Sequence, residues 1–272
     1  MTSLIERARG LLQGRPTVSV LRLYGAIGVG GPLGRALDDA SLAPVVARAF
    51  GQRGLKAVAL AVNSPGGSPA QSALIAARIR RLAAEKKVPV IAFCEDVAAS
   101  GGYWLACAAD EIFADANAIL GSIGVVSAGF GLTGAIARLG VERRLYTAGE
   151  RKAMLDPFSP EDPADVERLK RIQRGIHANF IEHVKAARGA RLKGDAATLF
   201  SGDIWLGAEA VELGLIDGLG HLVPTMKARY GEDVRFVVAQ PRKTLLQRLG
   251  APGAETVIGA VEERAMRARY GL

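Results

Sequence analysis

The chain has 272 residues, of which 49% are hydrophobic and 23% are charged, and its formal net charge is +8. This composition is typical of a globular protein with a sizeable core, and it excludes a disordered chain. No apolar run approaches the about 20 residues of a membrane span, and early charges make the start of the chain unlike a secretory signal. Because the basic residues are scattered and no basic-aromatic module accompanies them, we expect no nucleic-acid partner.

The first segment, 1–16, contains a short basic amphipathic helix at 4–12 with apolar residues on one face. Two interpretations stay open for it: peripheral contact with an anionic membrane, or packing on its own domain. Further along, Cys94 and Cys107 both lie in apolar segments. They predict reduced core thiols and a cytoplasmic location, with attachment to the inner face of the membrane depending on the first segment.

Strands and helices alternate along the body of the chain. Strands are predicted at 17–24, 56–62, 88–93, 111–114 and 143–147, and the small-residue turn at 120–126 is expected to enter a further apolar strand. Helices are predicted at 41–53, 69–86, 103–109, 131–139 and 163–187. This alternation indicates an α/β fold. We expect the body to span 17–238 and to be followed by a helical tail at 239–272.

The stretch 96–104 places a serine and two glycines between an apolar run of β-formers and a run typical of a buried helix. Ser100 is therefore expected where a strand turns sharply into a helix, beside the unpaired N–H groups of the first helical turn. Two interpretations stay open. Ser100 caps a buried helix, or it is a nucleophile whose substrate oxyanion meets the Gly101 N–H.

A second strand-to-helix turn carries paired glycines in the sequence Asn-Ser-Pro-Gly-Gly at 63–67. A Pro-Gly turn is common in any α/β protein, and this is one interpretation. In the other, Gly66 or Gly67 supplies a second backbone N–H to the oxyanion, because turns at adjacent strand ends open on the same crevice.

A serine nucleophile needs a base, and the three histidines lack a triad signature. His177 and His183 are six residues apart on one helix and so do not share a face, while His221 lies in a Gly-rich turn. Lys152 follows a glycine and precedes apolar residues, a setting that favours the neutral amine that a base requires. A solvated loop lysine is the competing interpretation. Because no His-Glu-x-x-His and no paired cysteines occur, we expect no metal and no cofactor.

Four stretches in this order resemble the signal peptide peptidase A (protease IV / SohB-like) family of Ser/Lys-dyad proteases. They are Val-Asn-Ser-Pro-Gly-Gly at 62–67, Ala-Ser-Gly-Gly-Tyr-Trp at 99–104, Gly-Ser-Ile-Gly at 121–124, and Lys152 before a Pro/Asp-rich link. The segment 200–217 also resembles that family. The resemblance covers about residues 17–225.

Carried over by position, the resemblance implies a role for each matching residue. Ser100 is then the nucleophile, Lys152 the general base, and Ser122 the serine that orients the lysine amine. Gly101 matches one oxyanion-hole donor, and the other comes from the 63–67 turn, with Gly66 and Gly67 left as alternatives.

The resemblance also implies a ClpP/crotonase-like fold, a spiral of strand-strand-helix units with outer helices. Members form ring-like or bowl-like homo-oligomers, so the implied dyad joins Ser100 of one protomer to Lys152 of the next. The implied activity is that of a serine endopeptidase acting through an acyl-enzyme on hydrophobic peptides, such as cleaved signal peptides or membrane-protein fragments.

Two alternatives use the same fold differently. A crotonase-like acyl-CoA enzyme also stabilises an oxyanion with two backbone N–H groups, but Ser100 and Lys152 are then incidental. A scaffold that binds peptides or membrane proteins without cutting them is the other, and the intact set of Ser100, Ser122 and Lys152 argues against it.

Overall fold

The computed structural model describes residues 15–28 and 37–240. Residues 124–180 form one compact unit, called here the second unit, and the described residues on either side of it form the first unit. The predicted helix at 4–12 lies outside the described residues, and so does the tail beyond residue 240. The proposed domain boundaries stay a prediction.

Eight strands and eight α-helices are present in the described part of the chain. The strands are β1 (Thr17–Tyr24), β2 (Leu55–Ser64), β3 (Val90–Ala99), β4 (Glu111–Ala114), β5 (Ile119–Gly121), β6 (Ile204–Leu206), β7 (Gly218–Leu219) and β8 (Arg235–Val238). The helices are α1 (Asp39–Phe50), α2 (Pro69–Lys86), α3 (Gly101–Ala106), α4 (Thr133–Arg138), α5 (Pro163–Arg188), α6 (Ala196–Leu199), α7 (Gly207–Glu212) and α8 (Leu222–Tyr230). A short 3-10 turn, Gly189–Arg191, follows α5.

The eight strands form one sheet. Six of them follow the order β6-β5-β3-β2-β1-β8, while β4 pairs with β3 and β7 pairs with β4, and every pair is parallel except that of β5 and β6. Strand β3 has two successive partners on one side. Its first half pairs with β4 at Ile91–Cys94, and its last residues, Val97–Ala99, pair with β5. The carboxyl ends of β2, β3 and β5 therefore meet at one edge, which is where a parallel sheet places its ligand crevice.

Strand β2 shows why the sheet is covered on both faces. Its residues from Ala57 to Ser64 are all buried, as expected of a parallel strand with helices on each side. On one face Ala57, Ala59 and Ala61 join a cluster with Met226 of α8. The alternating residues face the other way, where β2 contacts α1 and α3.

Local sequence sets where the helices on that face begin. Asp38 precedes α1, and its carboxylate accepts a hydrogen bond from the Ser41 N–H at 2.8 Å. Ser68 precedes α2 in the same way and is followed by Pro69, whose fixed φ suits a first helical position. Each of these helices therefore begins directly after a residue whose side chain caps its first turn.

The second unit contains α4 and most of α5, and none of its residues is in a strand. The strand predicted at 143–147 is therefore wrong, because a strand needs a neighbour to pair its backbone groups and this unit supplies none. The apolar strand expected to follow the turn at 120–126 is also absent. The chain forms β5 before Ser122 instead. None of the helices that the structure describes is long and apolar enough to cross a membrane.

Candidate active site

Ser100 lies at the junction of β3 and α3, as the sequence predicts, in an unusual backbone conformation. Its φ is 52°, a left-handed value that is strained for a residue with a side chain. Two hydrogen bonds hold the backbone there: the Ser100 N–H donates to the Gly121 carbonyl at 2.8 Å, and the Trp104 N–H donates to the Ser100 carbonyl at 3.0 Å. The hydroxyl does not cap α3, and the residue is half-buried, so the capping interpretation is wrong.

The glycine turn after β2 packs directly against Ser100. Gly66 is buried with φ of 101°, and a Cβ added to it would lie 2.8 Å from both the Gly101 nitrogen and the Ser100 Cβ. A Cβ on Gly67 would overlap the carbonyl oxygen of Ile27. The backbone approaches so closely that only glycine fits at either position, and the two turns therefore share one site.

The hydrogen bonds of this turn distinguish its two glycines. The Gly66 N–H donates to the Ser64 Oγ at 3.2 Å, and its carbonyl accepts from the Ile27 N–H at 2.9 Å. The N–H groups of Gly67 and Gly101 donate to no acceptor among the described residues. Gly67 is exposed, whereas Gly66 is buried. Two backbone donors are thus available beside Ser100, and they belong to Gly67 and Gly101.

Ser122 occupies the corresponding position on the neighbouring strand. Ala99 of β3 pairs with Gly121 of β5, so Ser100 and Ser122 each follow one member of that pair. Ser122 also has a left-handed φ, 51°, and its N–H donates to the Asp203 carbonyl at 2.6 Å. The two serines thus follow adjacent strand ends, and each has a positive φ.

Lys152 lies in the second unit, so its pairing with Ser100 stays a prediction. It sits in a turn where its N–H donates to the Gly149 carbonyl at 3.1 Å, and Leu155 of the same turn has a left-handed φ of 58°. The side chain of Lys152 is exposed, whereas Ala153, Met154 and Leu155 after it are half-buried. The apolar neighbours expected from the sequence are present, but they do not cover Lys152 within the single chain.

Two of the three histidines belong to the first unit, and each contacts a residue other than Ser100. His183 stacks on the Trp104 ring at 4.9 Å between centroids, and its Nε2 lies 3.0 Å from the Trp104 carbonyl oxygen. Burial lowers the pKa of His183, and the hydrogen bond to Trp104 only partly offsets it. His221 bonds to Asp115 at 2.8 Å. His177, in the second unit, is half-buried.

The cysteines near the turn are not alternative nucleophiles. Cys94 and Cys107 are both buried and free of any disulfide, as predicted. Burial raises the pKa of the Cys94 thiol far above its usual range and that of Cys107 to about 12. Both therefore remain thiols at any physiological pH. The described residues contain no cluster of three or more His, Cys, Asp or Glu that could hold a metal ion.

Two contributors to this site were not singled out from the sequence. The Trp205 ring of β6 lies where a Cβ on Gly121 would be, and Asp203 holds Ser122 through its carbonyl oxygen. Both residues lie in the segment 200–217, and the resemblance of that segment to the family was the sequence feature that could have pointed to them. The hydrogen bond between Asn63 and Asp96 was also missed, since neither the spacing nor the residue types indicate that they meet.

Comparison with known proteins identifies the family of this chain. The family model of peptidase family S49 matches residues 82–229. A putative signal peptide peptidase SppA of Enterococcus faecium is 36% identical over 62% of this chain and 48% of that protein. A protein of Brucella melitensis named Na(+)/H(+) antiporter NhaA is 47% identical, over 94% of this chain and 37% of that protein. The chain thus spans between about a third and a half of the length of these curated relatives.

The fold has a solved counterpart. A membrane-bound stomatin-specific protease, 1510-N, superposes with a TM-score of 0.51 at 15% identity, covering 84% of this chain and all of that one. This likeness concerns the fold alone, and it confirms the ClpP/crotonase-like α/β architecture that the resemblance implies. The match to the family model extends over more than half of the chain and includes Ser100, Ser122 and Lys152. The chain belongs to peptidase family S49, a family of serine-type peptidases.

Proposed function

We propose that this protein is a serine endopeptidase in which Ser100 is the nucleophile and Lys152 the general base. The observation that carries the proposal is the strained turn at Ser100. It holds a half-buried serine that does not cap α3, beside two N–H groups that have no acceptor among the described residues. A structural serine gains nothing from a left-handed φ, whereas a nucleophile gains an accessible hydroxyl. Family membership supplies the reaction class.

The proposed reaction proceeds in two halves. Neutral Lys152 Nζ takes the Ser100 hydroxyl proton as Oγ bonds to the peptide carbonyl carbon, and the carbonyl electron pair moves to oxygen. Collapse of this intermediate breaks the C–N bond, and the lysine ammonium returns its proton to the leaving amine. Water then gives a proton to Lys152 as its oxygen bonds to the ester carbonyl carbon. Collapse breaks the bond from that carbon to Ser100 Oγ, the lysine ammonium returns its proton to Oγ, and the acid is released. Ser122 orients the lysine amine.

The negative oxygen formed in both halves needs donors that are already in place. Gly67 and Gly101 fit this role because their N–H groups have no acceptor among the described residues. Gly66 contributes differently. Its N–H already bonds to Ser64, and its lack of a side chain lets the two turns approach each other. Of the two glycines left as alternatives by the sequence, Gly67 is thus the proposed donor.

The proposed substrates are hydrophobic peptides, including signal peptides after cleavage, and the proposed location is the cytoplasmic side of the membrane. The names of the peptidase relatives support the first part. The reduced, buried cysteines are compatible with the second.

The proposed active form is a homo-oligomer whose dyad joins two protomers. The second unit supports it by exposing large apolar side chains that a monomer would be expected to cover. The most exposed of these are Val126, Phe130, Leu139, Val141 and Tyr146, with Phe130 at 85% and Tyr146 at 90%. Lys152, in the same unit, is also exposed.

The first experiment combines active-site labelling with hydrolysis of a fluorogenic hydrophobic peptide. A fluorophosphonate should modify Ser100, identified by mass spectrometry, and both Ser100→Ala and Lys152→Ala should abolish turnover. Exposed residues provide matched controls: Ser159→Ala and Lys56→Ala should keep wild-type rates. Activity that survives Lys152→Ala, or a label on another residue, contradicts the proposed dyad. Wild-type activity should rise toward alkaline pH, because only the neutral amine accepts the proton.

A mixing experiment tests the assembly. Inactive Ser100→Ala and Lys152→Ala chains are co-refolded at equal amounts. If the dyad joins two protomers, about a quarter of wild-type activity returns, since a site then needs an intact serine from one chain and an intact lysine from its neighbour. If both residues come from one chain, no activity returns. Size measured by light scattering shows whether oligomers form in each sample.

A further inference from the structure

The two turns that supply the proposed oxyanion donors come from different strands, so their relative position depends on the pairing of β2 with β3. That pairing is regular from Val58 to Val62, where Val62 lies opposite Cys94. It then shifts, and Ser64 lies opposite Ala98. Between these two pairs β2 has one residue and β3 has three. Such a bulge re-aims the strand end that follows it, and here that end is Ser100.

A side-chain hydrogen bond crosses the bulge. The Asn63 Nδ2 donates to the Asp96 Oδ2 at 2.6 Å, joining the single intervening residue of β2 to the middle one of the three in β3. Asn63 is only 7% exposed, and its own carbonyl accepts from the Gly25 N–H at 2.9 Å. A hydrogen bond to a carboxylate is short and strong, and one end of this bond is the buried amide of Asn63, so this contact fixes the two strands where the ladder does not.

Asn63 and Asp96 lie at the same distance along the chain from their respective turns. Asn63 precedes Gly67 by four residues, and Asp96 precedes Ser100 by four residues. The bond therefore ties together the bases of the two turns, whose tips meet where Gly66 packs on Ser100 and Gly101. Any slip between β2 and β3 at this point would change the distance between the Gly67 and Gly101 N–H groups.

Asn63 also carries a feature that stability alone does not explain. Its Oδ1 is buried and has no hydrogen-bond partner among the described residues. A buried acceptor without a partner destabilises the folded state. An apolar side chain of the same size would avoid this cost, and Asp96, which is exposed, would remain solvated.

We infer that Asn63 is a positioning residue for catalysis: through Asp96 it sets the spacing of the two backbone donors that bind the oxyanion. This inference rests on the proposed peptidase function. It predicts that the bond matters in the transition state, where the oxyanion exists, and not in substrate binding. Loss of the bond should therefore lower kcat and leave KM unchanged.

The test uses three substitutions in the full chain. Asn63→Leu keeps the size of the side chain and removes the donor, Asp96→Ala removes the acceptor, and Asp96→Asn retains an acceptor oxygen. We expect the first two to lower kcat by about 10- to 100-fold, as a small misplacement of catalytic groups does. We expect Asp96→Asn to keep kcat close to the wild-type value. Asn63→Leu should also leave the urea midpoint of unfolding unchanged or raise it, which a merely structural role does not predict.

Tyr24→Phe is the matched control. Its hydroxyl donates to the Glu95 Oε1 at 2.8 Å, so this substitution removes a side-chain hydrogen bond to the residue next to Asp96 without touching either turn. It should leave kcat unchanged. Wild-type kcat in Asn63→Leu, or a loss of kcat in Tyr24→Phe as large as in Asp96→Ala, overturns the inference. If Ser100→Ala keeps its activity, the proposed function itself fails, and this result is separate from the other two.

Discussion

Replacing Gly66 by alanine should damage catalysis more than stability, and the structure indicates how much. The φ of 101° is strained for alanine and costs about 1–3 kcal/mol of folding free energy. The new Cβ would also lie 2.8 Å from the Gly101 nitrogen and 2.8 Å from the Ser100 Cβ, so the nucleophile and one donor must both shift. A misplacement of about 1 Å at reacting groups costs about 100-fold in rate. Because these contacts are relieved by a smaller shift than that, kcat should fall by about 10- to 100-fold.

Gly231→Ala provides the comparison. Gly231 has φ of 94°, close to that of Gly66, but a Cβ there would meet no atom within 4 Å. It should therefore show the backbone strain alone, with kcat unchanged. Urea unfolding and peptide hydrolysis are measured on both variants and the wild type. If Gly66→Ala loses no more kcat than Gly231→Ala does, the close approach of the turns has no catalytic role and the reasoning is refuted.

Two further predictions concern the first unit. Burial holds the pKa of His183 below its usual value, so the neutral ring on Trp104 stabilises the fold above about pH 6.5, and this contribution is lost as pH falls below that value. Between pH 7 and 5, urea unfolding of His183→Gln should therefore show a smaller loss of unfolding free energy than the wild type does. An equal loss in both proteins would contradict this. Arg188 is 2% exposed and bidentate on Asp217, so Arg188→Ala should lower the free energy of unfolding by about 3–5 kcal/mol. Arg191 contacts the same carboxylate from its exposed side, so Arg191→Ala should lower that free energy by at most about 1 kcal/mol.

Much of the fold could be predicted because local signals coincide with the elements. Helix α2 was predicted at 69–86 and occupies Pro69–Lys86, since Ser68 and Pro69 mark its start. The strand predicted at 17–24 is β1. Strand β3 was predicted to end at residue 93 but continues to Ala99. Its polar residues in the bulge interrupt the apolar pattern, although the backbone continues as a strand.

At 143–147 the error is the reverse of that at β3, because a strand was predicted where none forms. Apolar and β-branched residues in that stretch favour a strand locally, but strand formation depends on a partner that the second unit does not provide. The exposed Leu145 and Tyr146 of this stretch are instead part of the surface that the proposed oligomer would cover. The sequence pattern indicated correctly that these residues are apolar, but not what they contact.

The choice between Gly66 and Gly67 illustrates why the site could be located from the sequence but not completed. Both glycines follow the same strand, and nothing local indicates which N–H faces the substrate. The proposal of Gly67 rests on Ile27, which pairs with Gly67 by accepting from the Ser68 N–H at 2.8 Å and donating to the Gly66 carbonyl at 2.9 Å. In this parallel bridge the N–H of Gly67 itself is not used, so it points away from Ile27. Because a backbone donor has no side chain to adjust, its direction depends entirely on such distant contacts, and substitutions that loosen them should lower kcat without removing any catalytic group.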